Sequence, residues 1–454
     1  MKRIVSFLLV LMLCIGMLAG CGNDAQTPGE DPKTTEAAEP EAPEVGAPEE
    51  ESTLKADIVY WSSYTETSNY GQVIAAAADA FMQENPGVTI EISFQGTDIQ
   101  STLGPALEAG TKITMFEANT DASMVLWKDQ MRDLGEYYET VYPQTNGAAY
   151  GDSIIGAYNV LAKTQGDGTY MYFPYTPQFI NVWFNQDIFD ACGITEKPTT
   201  WDEMMDICQI LVDNGYTPFT SDQMHIHFSF GYYVQRRLGD EGAKALVNST
   251  DGSEWADPAV LEIAKKFEEA ASKGYFASNI MTVVSPEAQQ EMVIDRNIAM
   301  YVGGSWQPNN VRESAGPDFR WGSFTYPLVE NGVDDGSSLC YGGYGISINK
   351  DATKEEADAA AAFAVFLTLG EWGNYLVEKC NAIPITNDPS VKWPAMIADA
   401  SHIYDGITNR WTAQTAFALN NDLLPTVKSA LTKLMGGACT AEEFIAEIQA
   451  YYNK

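Results

Sequence analysis

Apolar and polar residues alternate along most of the chain with the periods of strands and helices. In VTIEISF, residues 88–94, the alternation has a period of two, which predicts a half-buried strand. The neighbouring pattern predicts further strands at residues 57–61 and 113–116 and helices at residues 72–83 and 99–108. This alternation of strands and helices predicts an α/β lobe with a largely parallel sheet.

A second group of elements is predicted within residues 179–207. This stretch contains a strand, a short helix, a loop and a second helix. Thr200 and Glu203 have the spacing of a capping box, in which a hydroxyl and a carboxylate accept hydrogen bonds from otherwise free amides at the start of a helix. The second helix is therefore expected to begin just after Thr200.

Three loops of the first lobe are expected to meet at one edge of its sheet. Ligands of parallel α/β sheets gather beyond the carboxyl ends of the strands. The loop after Trp61, the turn at Gln95 and residues 117–121 each follow a predicted strand. We expect these three segments to form one rim of a binding crevice.

The start of the chain has a different pattern. A cationic Met-Lys-Arg precedes an almost continuous apolar run, residues 4–18, which is too short to span a membrane and is typical of a secretory signal over residues 1–20. Residues 18–21, Leu-Ala-Gly-Cys, resemble the lipobox of bacterial lipoproteins, in which the cysteine receives a lipid. Cys21 is the expected lipidation site, and the alternative is a secreted protein with an incidental cysteine there.

An acidic segment, residues 21–55, follows and is rich in Pro, Glu, Ala and Thr without a hydrophobic period. Such a segment buries too little apolar surface to offset its ordering entropy, so we expect a disordered tether with a reach of about 30–35 Å. Since acidic residues are repelled by an anionic membrane, the tether should hold the folded body clear of the bilayer.

Charge and cysteine content exclude some classes of partner. The formal net charge is −36 and the basic residues are scattered, which argues against nucleic acids, because these require a cationic surface. The five cysteines after Cys21 include no CxxC pair, so free thiols are favoured over a zinc site, with one disulfide as the alternative. His225 and His227 would share one face of a strand without a third ligand nearby, and no metal or other cofactor is predicted.

Several segments in a fixed order resemble a known family. They are NPGVTIE, WFNQDIFDACGI, PTTWDEM, RNIAMYVGGSW, YGGYGISINK and NAIPI. This succession is similar to the extracellular solute-binding proteins of the maltose-binding type, the substrate-capturing subunits of carbohydrate ABC importers. The resemblance extends from about Asp57 to the C-terminus.

The resemblance implies two α/β lobes with a ligand enclosed between them. The lobes would comprise residues 56–175 with 341–395 and residues 176–340 with 396–454, with crossings near residues 174–177, 340 and 394. It also implies a monomer that closes on a carbohydrate, especially an oligosaccharide, and delivers it to ABC permease subunits served by a cytoplasmic ATPase. The expected location is the outer face of a bacterial membrane, of the Gram-positive type, with a lipid anchor.

Trp306 follows an apolar run, two glycines and Ser305. In the family, a tryptophan in this position covers the apolar face of a sugar ring. Gly303 and Gly304 would let the backbone bend and bring the indole to the cleft. The alternative is a core tryptophan whose N–H is satisfied internally.

Twelve further residues are carried over from the family pattern as ligand contacts. A surface or packing role is the alternative for each, because polar loops are common on any soluble protein. The residues are Tyr64, Thr65, Glu66, Gln95, Glu117, Asn119, Asp121, Gln178, His225, His227, Phe230 and Tyr344.

Two other classes of function stay open. In a surface glycoside hydrolase, Glu117 and Asp121 would supply the paired carboxylates, although GxSxG, HExxH and phosphate-loop signatures are absent from the sequence. The same binding fold with a peptide or polyamine is the second alternative. Anions such as phosphate are disfavoured as ligands, because few basic residues lie near the predicted cleft. Such anions are usually bound by arginines and helix N-termini.

If Cys21 is lipidated, the protein should be found in the membrane fraction of cells. Cys21→Ala should release the protein from membranes into the soluble fraction, because the thiol that would carry the lipid is removed. Fractionation of cells that express the wild type and the variant measures this. Membrane attachment of the variant at the wild-type level would contradict the lipoprotein hypothesis.

Overall fold

The computed structural model of the chain describes residues 40–43, 53–412 and 414–453. The predicted signal segment, Cys21 and most of the predicted tether lie outside these residues. The predictions for the body of the chain fall within the described residues, apart from residues 413 and 454.

The described part of the chain contains nine strands. In order they are β1 (Ala56–Ser62), β2 (Val88–Phe94), β3 (Met115–Asn119), β4 (Phe173–Asn185), β5 (Thr217–Thr220), β6 (Ile298–Gly304), β7 (Trp321–Phe324), β8 (Ser338–Ile348) and β9 (Asn409–Trp411).

Helices fill most of the intervals between the strands. The α-helices are α1 (Asn69–Glu84), α2 (Ile99–Glu108), α3 (Thr120–Leu126), α4 (Gly135–Tyr138), α5 (Tyr150–Ser153), α6 (Gly156–Gln165), α7 (Gln186–Ala191), α8 (Trp201–Asp213), α9 (His227–Val247), α10 (Pro258–Ser272), α11 (Glu287–Asp295), α12 (Gln307–Asn310), α13 (Arg312–Ala315), α14 (Lys354–Thr368), α15 (Gly370–Cys380), α16 (Leu424–Met435) and α17 (Ala441–Tyr451). Short 3-10 helices lie at Gly96–Asp98, Lys128–Gln130, Pro143–Thr145, Ser253–Ala256, Ala395–Ala400 and Ala416–Leu419.

The strands form one continuous hydrogen-bonded path in the order β2-β1-β3-β8-β4-β6-β5, with β7 also paired to β4 and β9 to β8. Strand β1 pairs in parallel with β2 and β3, and β5 pairs in parallel with β6. The pairs of β8 with β3 and of β4 with β8 and β6 are antiparallel. The first-lobe sheet is therefore parallel only in part, which corrects the expectation of a largely parallel sheet.

Strand β4 takes part in both halves of this path. Its first half pairs with β8 from Phe173 to Phe179, and its second half pairs with β6 from Ile180 to Phe184. Strand β8 likewise pairs with β9 through residues 338–340 before it joins β4 and β3. One pair of long strands thus connects the two ends of the sheet.

Two large hydrophobic clusters pack on this path. The first contains buried residues within 58–183 and 339–403, and the second contains buried residues within 180–340 and 411–448. Each cluster therefore draws on two separate stretches of sequence. Alternate residues of β4 divide between them: Phe179 and Trp183 belong to the first, and Ile180 and Val182 to the second.

Several sequence predictions are confirmed residue by residue. Strand β2 and helix α2 have the predicted bounds, and helix α8 begins at Trp201 with a complete capping box formed by Thr200 and Glu203. The Glu203 carboxylate accepts from the Thr199 and Thr200 amides at 2.8 and 3.1 Å. Local hydrogen bonding of short polar side chains is sufficient to fix such helix starts.

Other predictions of local structure are wrong. Strand β3 extends through Asn119, so Glu117 lies within the strand and not in the loop after it. His225 and His227 do not alternate along a strand, because His225 lies in a turn and His227 is the first residue of α9. The apolar residues around Glu117 and around His225 are compatible with more than one secondary structure. Tertiary packing determines which one forms.

Among the described residues, the five cysteines after Cys21 are all free thiols. No cluster of three or more metal-ligating side chains occurs in these residues. Within the same part of the chain, no single helix is long and apolar enough to cross a membrane, and α14 with α15 meets that criterion only as a pair bent by 51°.

Candidate functional site

A pocket of about 230 Å³ lies where elements of the two hydrophobic clusters meet. Tyr64 and Tyr70 pack against the first cluster and Trp306 packs against the second. Four predicted site residues line this pocket together, namely Tyr64, Gln178, Trp306 and Tyr344. The other lining residues are Ser63, Tyr70, Thr176, Pro177, Ser305, Asn309, Asn310, Cys380, Asn381, Ala382 and Ile383.

Trp306 lies between the end of β6 and the start of α12 and is half-buried. The two glycines before it lie inside β6, and neither has the left-handed φ of a glycine bend, which corrects their predicted role. They provide space instead: a Cβ on Gly304 would lie 2.3 Å from the indole ring, and one on Gly303 would lie 1.5 Å from Gln307 Oε1. The indole therefore rests directly on the backbone of Gly304.

Hydrogen bonds join the Trp306 segment to its surroundings. The Ser305 amide donates to Phe179 O at 2.9 Å, which ties the end of β6 to β4. On α12, Asn309 Nδ2 donates to Cys380 O at 3.2 Å and Asn309 Oδ1 accepts from Asn381 Nδ2 at 3.2 Å. Since α15 packs with the first cluster, these two bonds join α12 to an element of that cluster beside the pocket.

Tyrosines form the opposite wall of the pocket. The Tyr64 and Tyr70 rings are stacked with centroids 4.3 Å apart and planes 9° apart. The Tyr175 ring meets both of them edge-on, at 6.3 and 6.1 Å, and Tyr344 lies 6.3 Å from Tyr64. This arrangement offers aromatic surface and phenolic hydroxyls to the same small volume.

Glu117 lies beneath this wall and is fully buried. One carboxylate oxygen accepts from the Tyr60 hydroxyl, and the other accepts from Ser62 Oγ at 2.6 Å and from the Ser63 amide at 3.0 Å. Burial raises the pKa of Glu117 above its ordinary value, although these hydrogen bonds oppose the shift. The predicted contact residue is therefore placed behind the pocket, where its oxygens are held by protein donors.

The other predicted residues of the first rim have local partners. Asn119 Oδ1 accepts from the Asp121 and Ala122 amides and so caps α3. Asp121 forms an ion pair with Arg410 and accepts from Gln165 Nε2 at 2.8 Å. These side chains are part-buried but do not line the Trp306 pocket.

Three more predicted residues lie near Tyr64 without lining the pocket: Thr65 and Glu66 follow it in sequence, and the amide of Gly96, next to Gln95, donates to Tyr64 O at 3.2 Å. Thr65 and Glu66 are exposed in the turn before α1, where Thr65 O accepts from the Ser68 amide at 3.1 Å. Gln95 Nε2 donates to Ser93 Oγ at 2.8 Å. They belong to the same edge of the sheet as Tyr64, as the parallel β1–β2 pairing requires.

The predicted residues of the second cluster form a separate buried group. Asp222 accepts from His225 Nδ1 at 3.0 Å and from the Tyr301 hydroxyl at 2.9 Å. Burial opposes ionisation of Asp222, but hydrogen bonds from His225, Tyr301 and Gln289 outweigh it, so the pKa of Asp222 lies below its ordinary value.

His227 and Phe230 are buried deeper in the same region. Burial places the pKa of His227 well below its ordinary value, which keeps the imidazole neutral. The Phe230 ring packs against Phe267, Phe417 and Phe444. The structure thus places both residues in the second hydrophobic core and not in the lining of the Trp306 pocket.

Sequence reasoning missed Tyr70, Asn309 and Asn381 as lining residues. Asn381 begins the NAIPI segment, so the signal for it was present in the resemblance. Tyr70 lies in the first turn of α1, where a helical pattern alone predicts packing. Asn309 lies three residues beyond Trp306, and its contact depends on the distant end of α15.

Two hydrophobic clusters connected by long strands, with a pocket between elements of each, define the architecture of a two-lobed solute-binding protein. The chain belongs to the bacterial extracellular solute-binding protein family, whose model matches residues 64–372. This confirms the family resemblance and the two-lobed α/β fold class.

Known relatives are distant in sequence and similar in fold. A binding protein of Brucella abortus (strain 2308) is 22% identical over 317 residues, which cover 68% of this chain and 71% of that protein. The solved structure of a probable secreted solute-binding lipoprotein from Streptomyces coelicolor has a TM-score of 0.69 at 16% identity, covering 88% of this chain and 98% of that one. Ligand-free RafE from Streptococcus pneumoniae also has a TM-score of 0.69 at 16% identity, covering 89% and 99%. A structure of RafE with raffinose has a TM-score of 0.64 at 17% identity, covering 88% and 99%.

The contact between Gly304 and the indole predicts a stability effect that depends on Trp306. Gly304→Ala should lower the free energy of unfolding by about 1–3 kcal/mol, because the new Cβ overlaps the ring. Urea unfolding of the wild type, Gly304→Ala, Trp306→Ala and the double variant measures the coupling between the two positions.

The double variant provides the control for this effect. In the Trp306→Ala background, Gly304→Ala should cost much less, because the overlapping ring is gone. An equal cost in both backgrounds would show that Gly304 does not make room for the indole.

Proposed function

We propose that this protein is the substrate-binding lipoprotein of an ABC importer and that it captures a carbohydrate, especially an oligosaccharide. The observation that carries the proposal is the pocket in which the Trp306 indole, a tyrosine wall and amide side chains converge. Family membership supports a binding role, and the complex of RafE with raffinose supports a sugar as the ligand.

The chemistry of the lining matches a sugar ring. The axial hydrogens of a pyranose leave apolar patches on its faces, which an indole or phenol ring can cover. Its hydroxyls both donate and accept, and the amide groups of Gln178, Asn309 and Asn381 offer both functions. The described residues that line the pocket include no charged side chain, which favours a neutral ligand over an anion.

The proposal includes closure of two lobes around the ligand. We assign residues 56–175 with 341–395 to one lobe and residues 176–340 with 396–454 to the other. Strands β4 and β8 and a segment near Pro394 would be the crossings. The pocket is smaller than typical ligand clefts of about 300–1,000 Å³, so it would enclose one ring of a longer sugar. The bonds of Asn309 with Cys380 and Asn381 would stabilise the closed form.

The predicted contact residues are graded by their distance from this pocket. Trp306, Tyr64, Gln178 and Tyr344 are proposed to contact the bound ring, together with Tyr70, Asn309 and Asn381. Thr65, Glu66 and Gln95 lie on the same edge and would meet only a longer ligand.

Delivery and location complete the proposal. The closed monomer would present the sugar to ABC permease subunits served by a cytoplasmic ATPase, and a lipid on Cys21 would hold it at the outer face of a Gram-positive membrane. The probable secreted lipoprotein of Streptomyces coelicolor with the same fold supports such an anchored form.

A hydrolytic role is disfavoured by the position of the carboxylates. Glu117 is buried behind the tyrosines and Asp121 is paired with Arg410, so neither lines the pocket where a glycosidic bond would lie. A polyamine or peptide remains the alternative ligand, and the binding test below includes both.

Sugar binding predicts a shift in thermal unfolding. A panel of raffinose, N,N′-diacetylchitobiose, xylotriose, spermidine and a neutral tripeptide is added to residues 53–454. At a free concentration about 100 times the dissociation constant, a ligand should stabilise the fold by about 2.7 kcal/mol. A shift with spermidine or the tripeptide and none with the sugars would overturn the carbohydrate proposal.

Trp306→Ala should weaken binding of the sugar that gives the largest shift by about thirtyfold or more, because loss of an aromatic anchor in a desolvated pocket costs about 2 kcal/mol. Calorimetric titration measures the affinity, and thermal unfolding of the ligand-free variant measures the fold. A sharp fall in stability with unchanged affinity of the folded fraction would make Trp306 a core residue only.

Trp321→Ala is the matched control. Trp321 is also a part-buried tryptophan, which packs against the first cluster and against Phe319, but it does not line the pocket. This variant should bind the same sugar with wild-type affinity. An equal loss of affinity in both variants would show that the effect of Trp306 is not local to the pocket.

A further inference from the structure

The carboxylate of Glu117 accepts four hydrogen bonds from one segment of chain. Tyr60 and Ser62 on β1 donate through their hydroxyls, and Ser63 donates through its amide at 3.0 Å and its hydroxyl at 3.2 Å. Three of these bonds go to Oε1 and one goes to Oε2, so the acceptor positions of Oε1 are fully used. All four donors lie within Tyr60–Ser63, the end of β1 and the start of the loop that follows it.

A relay extends from this carboxylate to the pocket wall. Ser62 Oγ donates to Glu117 and accepts from the Tyr64 amide at 3.2 Å. Ser63 and Tyr64 both line the pocket, and Tyr64 stacks on Tyr70. The backbone position of the first pocket tyrosine therefore depends on a carboxylate that does not itself reach the pocket.

The titratable groups that face Glu117 are phenols from every element around it. They are Tyr60 on β1, Tyr64 after β1, Tyr70 on α1, Tyr175 on β4 and Tyr344 on β8. Burial first, and the Glu117 charge in addition, raise the pKa of all five above the ordinary value of a phenol, so they stay neutral. A buried carboxylate with hydroxyl neighbours is retained at a cost in folding stability.

We propose that Glu117 is a positioning residue whose ionised carboxylate holds Ser62, Ser63 and Tyr64 in the shape that forms the pocket wall. This inference rests on the proposed function only for its effect on sugar affinity, since the loop geometry is a property of the ligand-free protein. Protonation of Glu117 removes acceptor capacity from the set of four bonds and loosens the loop.

The direction of the pH effect follows from the environment of the carboxylate. Because burial raises the folded-state pKa of Glu117, its contribution to folding stability is present below the unfolded-state pKa of about 4.3 and is lost as pH rises through the folded-state value. The unfolding temperature of Glu117→Gln relative to the wild type should therefore rise with pH across that window. Loop order changes in the opposite direction, because only the ionised form accepts all four bonds.

Hydrogen exchange of the ligand-free protein tests the proposal directly. In the wild type, the Ser63 and Tyr64 amides should lose protection as pH falls through the folded-state pKa of Glu117, after correction for the intrinsic exchange rate. In Glu117→Gln they should exchange at least tenfold faster at pH 7 and show no such pH step. Ser62→Ala, which keeps the carboxylate and removes the relay hydroxyl, should accelerate the Tyr64 amide selectively.

Glu91→Gln is the matched control, since Glu91 is an exposed carboxylate on the adjacent strand β2. It should leave the exchange of the Ser63 and Tyr64 amides unchanged. Wild-type exchange of these amides in Glu117→Gln, or an equal loss of protection throughout the first cluster, would overturn the positioning role.

Binding of raffinose, N,N′-diacetylchitobiose and xylotriose separates this inference from the proposed function. For any of these sugars that binds the wild type, Glu117→Gln should lower the affinity at least tenfold. The unfolding temperature of this variant at pH 7 should not be lower than that of the wild type. If none of them binds the wild type but the loop still loosens, the sugar proposal fails and the positioning role stands. Unchanged affinity together with a loosened loop would overturn the link between Glu117 and the pocket.

Discussion

The antiparallel pairing of β4 with β8 is the constraint on which the rest of the structure depends. These strands supply backbone hydrogen bonds to both ends of the sheet and side chains to both hydrophobic clusters. Because neighbouring residues of a strand point to opposite faces, β4 can place Phe179 in one cluster and Ile180 in the other without a break in the ladder. The pocket lies beside this junction, where Thr176, Pro177 and Gln178 of β4 form part of its lining.

The pocket is a neutral surface supported by buried charge. Its lining consists of aromatic, hydroxyl, amide and apolar side chains, whereas Glu117 lies behind one wall and Asp222 lies in the second cluster. Tyr301 accepts from Gln307 Nε2 at 2.9 Å and donates to Asp222, so the residue next to Trp306 is also held by a buried carboxylate. In our proposal, the buried Glu117 carboxylate holds the backbone that presents Tyr64, and this order limits the conformational entropy lost on binding.

Much of the fold was predictable because its local signals are strong. The alternation of VTIEISF and the Thr200–Glu203 capping box determine their elements through contacts of only a few residues. Trp306, Tyr64, Gln178 and Tyr344 could be predicted to lie together, because a family resemblance carries information on contacts between distant residues. Glu117 was misplaced in a loop because the end of β3 depends on its pairing with β8, more than 200 residues away. The bonds of Asn309 with α15 have the same non-local origin, and periodicity carries no information on them.

The division of each cluster between two stretches of sequence has a consequence for how the chain folds. Residues 58–183 cannot complete the first cluster until residues 339–403 are available, and nearly the whole second cluster lies between them. Contacts with such large sequence separation carry a high loop-closure entropy and are associated with slow folding. During synthesis the apolar faces of β1, β3 and α1 would therefore wait for β8 and α14, so the newly made chain stays open longer than one built from two consecutive domains. The α16–α17 pair joins the second cluster late for the same reason, because it follows the other helices and strands of that cluster in sequence.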